Sequence, residues 1–192
     1  MSVFDYTEAL RRTCVDICFR VAELQHIDME QVGVSFARTK NIAPFGIYAS
    51  TYPLRFEDGK RTIQRNGRWL THKQIQNAGG VEYLYIINFY MPRFIDLKFN
   101  VKLETIIHEL YHISPYFNGD LRRFGGRCFA HGKSQKQYDK IVLSLMETWL
   151  KQDPAPELWD YLKMNYNEIN QNNQKITGTK FKIPKIVVTQ NE

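Results

Sequence analysis

Apolar residues recur three and four apart through Tyr6, Ala9, Leu10, Cys14, Ile17, Val21 and Leu24, which predicts an amphipathic helix over residues 5–24. The spacing then drops to two. Val32-Gly33-Val34-Ser35-Phe36-Ala37 alternates and is β-prone, which predicts a first strand. Residues 41–45 form a loop broken by Pro44. Residues 46–56 read as a second strand, and Pro53 points to a sheet edge or a bulge because proline donates nothing to a ladder. Asp58-Gly59 marks a turn from which residues 61–64 return. In the polar stretch 65–80, Arg68-Trp69-Leu70 reads as strand, residues 71–76 as a helical turn, and Asn77-Ala78-Gly79-Gly80 as a break. Residues 83–90 (YLYIINFY) are almost continuously aromatic or β-branched and predict the strongest strand.

After a short connection containing Pro92, Asn100 is the expected N-cap of a helix running to Ser114 and stopped by Pro115. Its apolar positions Val101, Leu103, Ile106, Ile107, Leu110 and Tyr111 cover most of the circumference, so this helix is expected to be buried. Residues 115–130 read as a loop carrying Asn118-Gly119 and Gly125-Gly126. Ser134 and Gln137 have capping-box spacing for a helix over 135–151, with Tyr138, Ile141, Val142, Leu145 and Trp149 as its core stripe. A short helix over 157–167, a mobile Asn/Gln-rich linker over 165–174 and a β-like tail over 180–189 follow. The expected fold class is α+β: an N-terminal helix, a small mixed β-sheet, the buried central helix and further C-terminal helices. Residues 1–155 form the expected main domain, and residues 156–192 an appended helix, linker and basic tail.

The buried helix carries His108-Glu109-Leu110-Tyr111-His112. Two histidines four apart lie one turn apart on one face, so both imidazoles can address a single ion, and the intervening Glu can reach water on that ion. This is the chemistry of a zinc hydrolase, with Glu109 as general base. A catalytic zinc takes three protein ligands and keeps one open position. His131, placed after a glycine-containing loop and just before the next helix, is the first candidate for the third ligand; Glu147, Asp120 and Cys128 rank behind it. Tyr138, Arg122, Arg123 and Arg127 are candidate donors to a developing oxyanion, and Asp139 or Asp120 could orient a ligand imidazole. His26 and His72 fall in polar stretches and are expected on the solvated surface. Cys14 and Cys18, one turn apart without further ligands nearby, are expected in the core.

The order of helix, strands, strong strand, HELYH helix, loop and His131-Gly132 resembles the SprT-like zinc metallopeptidases and their phage-type relatives, over about residues 5–150. That resemblance implies a zincin-like fold, zinc bound by His108, His112 and His131, and Glu109 as general base. It also implies that the strand before the ligand helix, residues 83–90, lies along the cleft as an edge for extended substrate. The lack of polar alternation in that strand points instead to a buried central position. The chain departs from the family in two respects: Gln135 stands where an aromatic is common, and no Cys-rich zinc finger is present.

Composition narrows the picture further. At 43% apolar and 14% aromatic residues, the 192-residue chain is globular and long enough for a real core. It contains no run of apolar residues long enough for a membrane span and no N-terminal stretch resembling a signal peptide. Three cysteines build no disulfide framework, so the expected compartment is the reducing cytoplasm. The net charge of +6 permits a polyanionic partner. Within residues 121–140, Arg122, Arg123, Arg127, Lys133, Lys136 and Lys140 face only Asp139, making this segment a candidate nucleic-acid contact. The leading expectation is a zinc-dependent metallopeptidase acting on a protein or peptide substrate. The alternative is a nucleic-acid-associated binding protein on the same scaffold.

Overall fold

The structure, a computed structural model, describes residues 2–38, 46–124, 134–171 and 174–190. It is an α+β fold. Helices α1 (Tyr6–Arg20), α2 (Phe99–Tyr111), α3 (Gln135–Leu150) and α4 (Tyr166–Gln171) surround three small sheets. Among the described residues no helix is long and apolar enough to cross a membrane.

The central sheet joins β2 (Val32–Arg38), β6 (Tyr85–Met91) and β3 (Ala49–Pro53) in the order β2-β6-β3. β6 runs parallel to β2 and antiparallel to β3. Tyr85 through Phe89 are all buried, which explains why this strand reads as a continuous apolar run. Its central position means it does not line a cleft edge. β3 is an edge strand, and Pro53 sits there as a residue without a ladder donor should.

α1 is capped by Asp5, whose Oδ1 accepts the Glu8 amide at 2.9 Å. It buries Leu10, Cys14, Ile17 and Cys18, so both cysteines are core residues as expected. The helix ends at Arg20, earlier than its apolar spacing predicts, because Val21 turns extended and a 3₁₀ turn, Ala22–Leu24, carries the last apolar contacts. α1 packs on β2 and α2 on β3, with α3 against α2. Trp149 ties α3 to α1 by donating its Nε1–H to Asp16 at 2.8 Å.

The second sheet has the order β4-β5-β8, with β4 (Thr62–Arg65), β5 (Arg68–His72) and β8 (Ile186–Thr189). Residues 61–64 do not return along the second strand. They pair forward with β5 through Asn66 (φ 51°) and Gly67 (φ 71°), a two-residue turn with both φ values positive. Residues 71–72 extend β5 where a helical turn is expected. His72 is half-buried against Phe56, with ring centroids 4.7 Å apart, and is not a solvated side chain.

The C-terminal segment is folded onto the body. β7 (Gln174–Thr177) pairs in parallel with β1 (Ser2–Asp5). Beyond it, Thr179 accepts the Phe36 amide at 3.0 Å, covering the outer edge of β2. Gly178 permits this approach: a Cβ there would sit 2.9 Å from the Thr7 methyl. Part of the expected linker is α4, which buries Ile169 completely. Asn165 and Glu168 cap it reciprocally, each side chain accepting the other's amide, at 3.0 and 2.7 Å.

Lys102 fastens this segment to α2. Its side chain is fully buried, and Nζ donates to the carbonyls of Leu162 (3.0 Å) and Met164 (2.8 Å). Burial pushes its pKa down to about 8, against the pull of Asp96 and Glu168. An unfolded lysine keeps its proton to about 10.4. Between these values the unfolded chain binds more protons, so stability rises with pH, and this contribution is lost as pH falls through about 8. Lys102→Ala is expected to lower stability in urea unfolding at neutral pH by about 2–4 kcal/mol, from the cavity and the abandoned carbonyls. It is also expected to flatten the rise in stability between pH 8 and 10.

Candidate metal centre

α2 is fixed on its apolar side by Leu103, Ile106, Ile107 and Leu110, all fully buried. This leaves His108 and His112 on the side facing α3. The helix starts after Lys98, with Asn100 inside the first turn and not at the cap. It ends at Tyr111, short of the expected Ser114. There the chain doubles back: Ile113 bridges Leu121, and the Ser114 amide bonds the Asp120 carbonyl at 3.2 Å. His112 takes the C-cap position but keeps helical dihedrals (φ −68°, ψ −20°), so its side chain still follows His108 by one turn.

The two Nε2 atoms converge to 3.0 Å. Two nitrogens each about 2.0–2.1 Å from one tetrahedral zinc are separated by about 3.3 Å, so the pair is preset close to the spacing that a shared ion requires. Tyr138 fixes both rings. It stacks on His112 (centroids 5.3 Å apart, planes at 30°), meets His108 edge-on at 4.8 Å and donates its hydroxyl to the His108 carbonyl at 3.2 Å. The tyrosine is buried, and its hydroxyl is directed to the helix backbone.

Glu109 turns toward β3. The Thr51 hydroxyl lies 2.8 Å from both Glu109 Oε2 and the Glu109 backbone carbonyl. Burial pushes the Glu109 pKa up to about 7, and the Thr51 hydrogen bonds oppose the rise. His108 and Glu109 line one side of a groove of about 320 Å³, and Ile47, Tyr48 and Ala49 line the other. The strand bordering the groove is therefore β3, not residues 83–90. No pattern in the sequence marks Thr51 as a partner of Glu109.

The other candidates sort cleanly. His131, Cys128 and Arg127 lie outside the described residues. Asp120 is buried and accepts from the amides of Asp58 (3.0 Å) and Leu121 (2.8 Å) and from Arg123 Nε (2.8 Å), so it organises the loop after α2. Glu147 is exposed on α3, 3.9 Å from Lys151. Asp139 accepts from Gln135 at 2.7 Å. Arg122 donates to the Tyr111 carbonyl at 2.8 Å and lies over the Tyr111 ring, and Arg123 is held by Asp120 and Glu57, so both are engaged within the fold. His26 is half-buried rather than solvated, and burial and the nearby Arg122 charge lower its pKa. Ser134 is the N-cap of α3 by its backbone, with no side-chain capping bond, and Ile141 lies on the exposed side of the helix.

Among the described residues no group of three His, Cys, Asp or Glu side chains assembles around the histidine pair. The chain just before residues 125–133 does rest beside it: Phe124 packs edge-on against Tyr138 at 5.8 Å. Compared with protein-family models, with curated proteins and with solved structures, the chain matches none.

Proposed function

We propose that the chain is a zinc-dependent metallopeptidase on a zincin-like fold, with His108, His112 and His131 as metal ligands and Glu109 as general base. The observation that carries this reading is the 3.0 Å convergence of the two imidazole nitrogens beside a buried carboxylate. The chemistry of the donor set fits zinc, and the packing of Phe124 on Tyr138, which brings the chain after α2 back to the histidine pair, supports His131 as the third ligand. Bound zinc supplies an acidified water and polarises a carbonyl. Glu109 would accept a proton from the attacking water and return it to the leaving amine. Thr51 restrains the Glu109 carboxylate so that proton transfer has a fixed direction. Tyr138 holds both imidazoles in one orientation. An extended peptide adds to β3 at its edge, main chain to main chain, across the groove. Cys14 and Cys18 are buried free thiols, which supports a reducing cytoplasmic setting.

The deciding measurement is metal content. The purified protein is expected to hold about one zinc per chain, and His112→Ala and His131→Ala to lose most of it. Equal zinc in all three proteins overturns the ligand assignment.

A further inference from the structure

The β4-β5-β8 sheet is unusual in two respects. It buries none of its residues. Residues 60–73 and 180–190, which form and flank it, also contain eight Lys and Arg residues and no Asp or Glu. Lys60 and Arg61 reach carboxylates elsewhere, Asp58 at 3.5 Å and Glu82 at 3.4 Å. Among the described residues, Arg65, Arg68, Lys73, Lys180, Lys182 and Lys185 form no ion pair.

Like charges also oppose each other across the strands. Arg65 and Arg68 are in register at one end of β5. At the other end, the Lys73 amide bonds the Lys185 carbonyl at 3.1 Å. Opposed like charges destabilise a ladder, and this ladder has no core to compensate. Directly paired residues share a face, so the face bearing Arg65 and Arg68 also carries the row Ile63, Leu70 and Val188. Val188 is 62% and Ile186 52% exposed. That face thus combines a cationic end with an apolar row, while Lys73 and Lys185, one residue out of phase, place the cations of the other end on the opposite face.

We infer that this sheet binds the sugar–phosphate backbone of a nucleic acid without sequence selection. The cationic ends are five residues apart along β5, about 17 Å at 3.3–3.4 Å per residue. A nucleic-acid strand offers a phosphate about every 3.4 Å of helix axis, dense enough for a strand that follows the rim of this three-stranded sheet to meet the long cationic side chains of both ends. Its sugars and bases present apolar surface to Val188 and Ile186. A run of acidic side chains matches the charge but offers nothing to the apolar row. This surface is separate from residues 121–140, where Arg122 and Arg123 are engaged within the fold, and it does not depend on the peptidase reading.

The test is fluorescence anisotropy of the full chain with a short labelled single strand and a labelled duplex. Binding is expected to weaken with salt at a slope of log K against log salt of roughly −3 to −5, for four to six phosphates neutralised. The pairs Arg65→Glu with Arg68→Glu, and Lys182→Glu with Lys185→Glu, are each expected to weaken binding about tenfold or more. The exposed control pair Lys136→Glu with Lys140→Glu should leave affinity unchanged. Thermal melting of each variant, together with the milder Arg65→Gln with Arg68→Gln, separates lost contacts from lost folding. Tighter binding of the single strand adds base contacts to the apolar row, whereas equal binding of both probes assigns the interaction to phosphates alone. Absence of binding at low salt, unchanged affinity in both sheet variants, or equally good competition by polyglutamate each overturns the proposal.

Discussion

Glu109→Gln is expected to lower peptide hydrolysis by about 10³-fold, within the range that a positioned general base contributes, while zinc content stays at the wild-type level. The substitution is close to isosteric. The amide oxygen still accepts the Thr51 hydroxyl, and the change removes a carboxylate that burial already holds away from full ionisation. Stability is therefore expected to hold or to rise slightly, since a neutral amide costs less to bury than a charge. A panel of unfolded protein substrates, assayed alongside metal analysis and thermal melting, separates the possibilities. Lost activity in a folded, zinc-loaded variant assigns the proton transfer to Glu109. Undiminished cleavage means that some other group is the base. Thr51→Val provides a graded comparison: it removes the hydroxyl that touches the Glu109 carboxylate and carbonyl but leaves the base itself, so a loss of about tenfold is expected, far short of that for Glu109→Gln.

The parts of this fold legible in the sequence are those in which a local pattern and the tertiary environment agree. α1 shows a clean apolar stripe because one side packs and the other is wet. β6 reads as strand without alternation because both its faces are buried. The histidine pair is legible because a spacing of four on an apolar helix has one geometric meaning. The illegible parts depend on contacts between distant residues. Nothing local announces that residues 2–5 pair with 174–177, that 69–72 pair with 186–189, or that Thr51 reaches Glu109. Lys102 reads as a polar interruption of a buried helix, yet it is buried because its amine finds two carbonyls some sixty residues away. Two misreadings had local signals that competed. Asn66-Gly67 is a stronger hairpin signal than Asp58-Gly59 but lies in a stretch without alternation. Asn165 and Glu168 have capping spacing but lie in a composition that suggests a linker.

Tyr138→Ala is expected to cost about 3–5 kcal/mol of stability, the range for removing a large buried aromatic. It is also expected to weaken zinc binding by about 10–100-fold, the usual effect of losing a group that orients ligands. Tyr138 is the ring on which the site is assembled. It touches His108, His112, Tyr111 and Phe124, and its hydroxyl holds the α2 backbone at His108. The ring and the hydroxyl are separable. Tyr138→Phe keeps the ring contacts with His108, His112, Tyr111 and Phe124 and forfeits the hydrogen bond to the His108 carbonyl, so it should cost only about 1 kcal/mol and leave zinc affinity near that of the wild type. Urea unfolding of the metal-free proteins and zinc competition titrations of the folded ones distinguish the two contributions. If the phenylalanine variant loses zinc as severely as the alanine variant, the hydroxyl and not the ring sets the imidazole geometry. If neither variant loses zinc, the converging nitrogens are held by α2 alone, and the packing of α3 serves stability without preparing the metal site.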